Sequence, residues 1–100
     1  MRQGTTPTHT FTLPFALTKN HSVRIIYKQG QRVLFVKTNP DIEIAGSKIS
    51  TRLSQKDTFL FDSMQKAKIQ IRVLTPSGDA LVSDVIAASV EECLEREVMR

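Results

Sequence analysis

Two histidines, one cysteine, a Ser-Asp dipeptide and two aspartates that flank a pair of phenylalanines are the residues of this 100-residue chain whose types invite chemistry. A zinc-type centre needs three or four converging ligands. His9 and His21 stand without a further His, a Cys or an acidic pair at ligand spacing, so no metal is expected. Ser83-Asp84 and the histidines have the composition of a hydrolytic triad, but no Gly-x-Ser-x-Gly elbow is present to expose a nucleophilic serine. Asp57 and Asp62, on either side of Phe59 and Phe61, read as solvated turn residues rather than a general acid and base. Cys93 lies among Glu92 and Glu95, the wrong charge to favour a reactive thiolate. Gly30, Gly46 and Gly78 stand singly, so no phosphate-cradling loop is formed. The expectation is a protein that is not an enzyme, holds no cofactor and takes no small-molecule substrate.

The elements that position these residues are strands. Ile69, Ile71 and Val73 alternate with Gln70, Arg72 and Leu74. Thr75-Pro76-Ser77-Gly78-Asp79 then turns the chain, and alternation resumes through Leu81, Ser83 and Val85. Similar period-2 segments run over His9–Phe15, Val23–Lys28, Arg32–Lys37, Ile42–Ile44 and Ile49–Leu53, with tight turns at Gln29-Gly30-Gln31 and Ala45-Gly46-Ser47. Ser54 followed by Asp57 has capping-box chemistry and predicts a single helical turn. Thr58–Asp62 is expected to return to extended structure with Phe59 and Phe61 on one face, and a bulge is expected at Ala87-Ala88-Ser89. Val90–Val98 predicts a short helix or an irregular tail. Short strands at spacings of roughly ten residues predict an all-β fold, an antiparallel Ig-like β-sandwich of about seven strands. Residues 8–100 are expected to form this single domain, and residues 1–7, polar and ending in proline, a flexible arm ordered only when something binds it.

Composition supports one small domain whose core is built from Ile, Val, Leu and Phe. The lone cysteine cannot form an internal disulfide, and the polar start does not resemble a secretory leader, so a reducing cytoplasm is expected. No apolar run approaches the roughly 18 residues that span a bilayer, and no membrane role is expected. Net charge is +4 but polarised: from Phe15 to Arg72 eleven Lys or Arg face four Asp or Glu, whereas from Val73 onward six carboxylates face two Arg. Such asymmetry suits either an acidic partner or contact between the acidic part of one copy and the basic face of another. The second is favoured, because the basic residues fall on outward positions of alternating strands. The two central strands are apolar on both faces, which marks Arg24, Ile26, Lys28, Arg32, Leu34 and Val36 as the candidate interface.

The segments Leu53–Phe61, Ile69–Val73 and Gly78–Ile86 together resemble small proteins encoded among the virion structural genes of tailed phages and prophages of Gram-positive bacteria. More loosely, the chain resembles the N-terminal Ig-like module of phage baseplate upper proteins, without the long receptor-binding or linker region. The resemblance implies a β-sandwich that attaches to a symmetric particle as a head-decoration, neck, tail or baseplate component. It also implies that its partners are other virion proteins and copies of itself, and that it resides in the host cytoplasm during assembly and then in the virion. The alternatives are a phage-encoded inhibitor of a host protein and a binder of single-stranded nucleic acid. The latter is disfavoured because the phenylalanines alternate inward instead of offering stacking platforms.

Overall fold

The computed structural model describes all residues, Met1–Arg100. Its eight strands are β1 (Thr8–Thr12), β2 (Ser22–Gln29), β3 (Arg32–Lys37), β4 (Glu43–Ala45), β5 (Lys48–Arg52), β6 (Ala67–Leu74), β7 (Ala80–Val82) and β8 (Ile86–Ala88), with one short helix, α1 (Gln55–Phe59). They form two antiparallel sheets: β1-β5-β4, and β3-β2-β6 with β7 and β8 both on the far side of β6. This reproduces the B-E-D and C′-C-F-G strand orders of immunoglobulin domains. The expected Ig-like antiparallel sandwich is therefore the fold, with one strand more than anticipated because the last edge strand is split.

Local chemistry explains the connections. Gly30 (φ 57°) and Gly46 (φ 62°) hold the first central position of two-residue hairpin turns, where a left-handed backbone is required. The split between β7 and β8 is made by Ser83. Its amide donates to the Ile71 carbonyl, its hydroxyl accepts from the Ile71 amide, and its carbonyl accepts from Gln70 Nε2. The irregularity thus lies at Ser83–Val85 rather than at the expected Ala87–Ser89, because a hydroxyl can replace a backbone partner and the alanines cannot.

The core lies between the sheets. β2 contributes Val23, Ile25 and Tyr27, β6 contributes Ala67, Ile69, Ile71 and Val73, and Ile42, Ile49, Leu53 and Phe61 meet them from the opposite layer. Tyr27 stacks on Phe35 at 4.6 Å between ring centroids, and Phe61 meets both rings edge-on at 6.0 and 5.6 Å. Aromatic pairs of these geometries add about 0.5–1.5 kcal/mol each beyond their buried area.

Residues 58–62 depart from the expected strand. Ser54 Oγ accepts from the Asp57 amide while Asp57 Oδ2 accepts from the Ser54 amide, and this reciprocal cap carries the helix through Phe59. Phe59 and Phe61 consequently point different ways, only Phe61 reaching the core. Two buried glutamines pin the following turn. Gln29 Nε2 donates to the carbonyls of Asp62 and Gln65 and Gln29 Oε1 accepts from the Asp62 amide, while Gln3 Nε2 donates to the Phe61 carbonyl.

The first seven residues are docked on the domain itself rather than free. Gln3 is buried, Arg2 forms a parallel bridge with Glu91, and Thr58 Oγ1 accepts from the Gly4 amide and donates to the Thr5 carbonyl. The Met1 ammonium donates to the Ser89 carbonyl at 2.9 Å and pairs with Glu91 at 3.1 Å. Two of the polar side chains that suggested a free arm anchor it: Gln3 bonds the Phe61 carbonyl and the Cys93 amide, and Arg2 donates to the Glu92 carbonyl. The tail beyond Val90 has no regular structure; it runs beside these residues, with Arg96 donating to the Phe59 carbonyl and Gln55 exchanging hydrogen bonds with Met99.

Candidate interaction face

Strict alternation along β2 and β6 sends every second side chain away from the core, and antiparallel register decides which of them meet. On the outer side Arg24 stands opposite Arg72, Ile26 opposite Gln70 and Lys28 opposite Lys68. β3 adds Val36 beside Ile26 and Val33 beside Lys28, and β7 adds Val82 beside Arg72 and Ala80 beside Leu74. The result is an aliphatic stripe, Val36-Ile26, between two pairs of like charges about 13 Å apart along the strands. Like charges directly opposite one another destabilise a sheet, and the face carries two such pairs. The molecule forms two ion pairs, Met1 with Glu91 and Lys37 with Asp57, and neither reaches this face.

The structure brings Arg24, Ile26, Lys28 and Val36 together as expected. Leu34 leaves the set. The β2–β3 register shifts between Tyr27 and Lys28, so Tyr27 pairs with Phe35 and Lys28 with Val33, and Leu34 is the extra residue of a bulge that packs toward the core. Val33, 52% exposed, takes its place. Arg32 sits at the exposed hairpin end opposite Gln29. Lys68, Arg72, Leu74 and Val82 complete the face. Their outward positions follow from alternation, but the pairing of Lys68, Arg72 and Leu74 with β2 does not.

The residues singled out for chemistry hold structural posts. His9 Nδ1 accepts from the Tyr27 hydroxyl at 2.8 Å, since the buried phenol has no other acceptor in reach. Burial holds the Tyr27 phenol far above its ordinary pKa, the Asp57 charge adding to this, and burial with the terminal ammonium holds His9 below the usual imidazole value. His21 Nδ1 accepts from the Thr18 amide within a tight turn. Asp57 binds Lys37 Nζ at 2.8 Å. Burial pushes its carboxyl up, but the Lys37 and Ser54 hydrogen bonds and the Lys37 charge outweigh that and hold it below the carboxylate range. Asp62 caps the turn at Met64, and Cys93 Sγ lies 3.0 Å from the Glu95 carbonyl. No three His, Cys, Asp or Glu side chains converge as metal ligands would. A surface depression of about 650 Å³ is wide open, and Thr6, Arg52, Gln55, Lys56, Val98 and Arg100 are among its lining residues.

Comparison with protein-family models, curated proteins and solved structures finds no match to the chain.

Proposed function

We propose that this chain is a non-enzymatic structural subunit of a tailed-phage virion, a head-decoration, neck, tail or baseplate component that assembles through contacts with other virion proteins and with copies of itself. The observation that carries the reading is a surface larger than a free monomer needs. The accessible area is 6633 Å² for 11.3 kDa, against about 5,700 Å² for a typical monomer of that mass. The excess of roughly 900 Å² matches the share one partner buries in a standard interface, ~800 Å². The shape is the cause: the sandwich measures 46 × 30 × 17 Å, and only 17 of its 100 residues are buried. The resemblance to virion structural proteins supplies the setting, and the uncovered outer face of the five-stranded sheet supplies a surface suited to contact.

The test is mass spectrometry of purified particles released by the host that encodes the chain. Recovery in fixed ratio to the major virion proteins is the expected result. Recovery only from the soluble lysate overturns the proposal and favours an inhibitor of a host protein.

The four unpaired cations favour a second reading, a binder of single-stranded nucleic acid. Against it, the outer face carries aliphatic residues between its cations and no aromatic ring for base stacking.

A further inference from the structure

We infer that the outer face of the five-stranded sheet receives the acidic C-terminal segment of a second copy of this chain, in a head-to-tail contact. The inference rests on the structural-subunit reading and deepens it by naming the contact. Two surfaces of the molecule are chemically complementary. On the first, Arg24, Arg72, Lys28 and Lys68 bracket the Val36-Ile26 stripe, and none of them forms an ion pair. On the second, Glu92, Glu95 and Glu97 are exposed and form no ion pair, and Leu94 between them is 97% exposed. The one cation inside that segment, Arg96, is turned back onto the Phe59 carbonyl and lies over the Phe59 ring, leaving the carboxylates uncompensated.

Each surface answers what the other lacks. An apolar side chain with almost no cover, flanked by carboxylates, fits a stripe of aliphatic side chains flanked by cations. Desolvating Leu94 against Ile26 and Val36 supplies non-directional attraction, while the charges fix orientation and disfavour wrong partners. The contact cannot close within one chain: the tail's hydrogen bonds go to Met1, Arg2, Gln3, Gln55 and Phe59, and none goes to the outer face. Because the two surfaces differ, the contact is heterologous. Repetition yields a ring if the rotation closes and a filament if it does not.

The experiment is sedimentation velocity on the full chain at low and high salt, with two double variants, Arg24→Glu with Arg72→Glu and Glu92→Lys with Glu95→Lys. All four positions are exposed, and circular dichroism checks that each variant is folded. The wild-type chain is expected to associate at low salt and to dissociate as salt screens the contact. Each double variant alone is expected to associate at least about tenfold more weakly, since it sets like charges against each other. Mixing the two variants restores association, because the reversed face of one then meets the reversed tail of the other. Leu94→Ser weakens association without altering its salt dependence. A wild-type chain that stays monomeric at every concentration overturns the contact, as does a multimer that both double variants leave intact. In either case recovery of the chain from particles still stands as the separate test of the structural-subunit reading. A monomer that shifts only when a single-stranded oligonucleotide is added overturns the contact in favour of nucleic-acid binding.

Discussion

The Tyr27 hydroxyl and His9 Nδ1, 2.8 Å apart, join the two sheets through the only polar link at the centre of an aromatic cluster. With the imidazole neutral, Nδ1 accepts from the phenol, and burial keeps His9 neutral further into acid than a free histidine.

Stability should therefore fall as the pH is lowered from 8 toward 5. With the folded pKa depressed, the unfolded chain takes up a proton first, so the contribution of His9 is complete above the unfolded value of about 6.5. It is lost as the pH falls through the lower folded value. Urea denaturation at stepped pH should show the slope, and Tyr27→Phe should cost about 1 kcal/mol at neutral pH.

Asp57 couples β3 to the short helix and should act at lower pH. Its folded pKa is depressed, so its contribution is present above the ordinary carboxylate value and disappears as the pH falls through the folded one. Asp57→Ala removes the acceptor of the Ser54 amide, half of the reciprocal cap, together with the Lys37 pair, and should cost about 1–3 kcal/mol. Lys37→Met should leave the cap intact and cost less. Thermal melts of the two variants at pH 7 check the order.

Gln29 makes three hydrogen bonds to the turn at Asp62–Gln65. Gln29→Leu fills similar space but leaves the Gln65 carbonyl and the Asp62 amide without partners, and should destabilise by about 2–4 kcal/mol in chemical denaturation. Gln29→Glu should fold no better, because a carboxylate cannot donate to either carbonyl.

Gly4 adopts φ 80°, and a Cβ there would come within 2.9 Å of Phe59 Cζ. Gly46, at φ 62°, has nothing within 4 Å of such a Cβ. Both alanine variants carry the left-handed backbone cost of about 1–2 kcal/mol. Gly4→Ala should lose more, because it also has to displace Phe59 or lift residues 1–7 off the domain. Limited proteolysis should then cut Gly4→Ala within those residues and leave Gly46→Ala intact there.

Side-chain alternation was legible in the sequence, because period 2 assigns faces one strand at a time. On that basis Arg24, Ile26, Lys28 and Val36 fall on the outer face, where the register has them. Pairing was not legible. Arg24 and Arg72 come from opposite halves of the chain, and only the closed sandwich sets β2 beside β6. Leu34 faces otherwise because one extra residue inverts the alternation on its Val33 side, and nothing in Val33-Leu34-Phe35-Val36 distinguishes a bulge from a regular strand. Phe59 was misplaced because the Ser54–Asp57 cap extends the helix past the apolar alternation that suggested a strand. Residues 1–7 looked free because their apolar content is low, whereas what fixes them is hydrogen bonding.

The Ser83 insertion between β7 and β8, together with the bulge at Leu34 in β3, interrupts both outermost strands of the larger sheet. An unbroken edge is a template on which another chain can add strand after strand, the route to cross-β aggregation. Here neither edge offers a long regular row of free amides and carbonyls. The chain is thereby steered away from runaway fibre growth, and what it offers for contact is broad faces, like a tile rather than a plank.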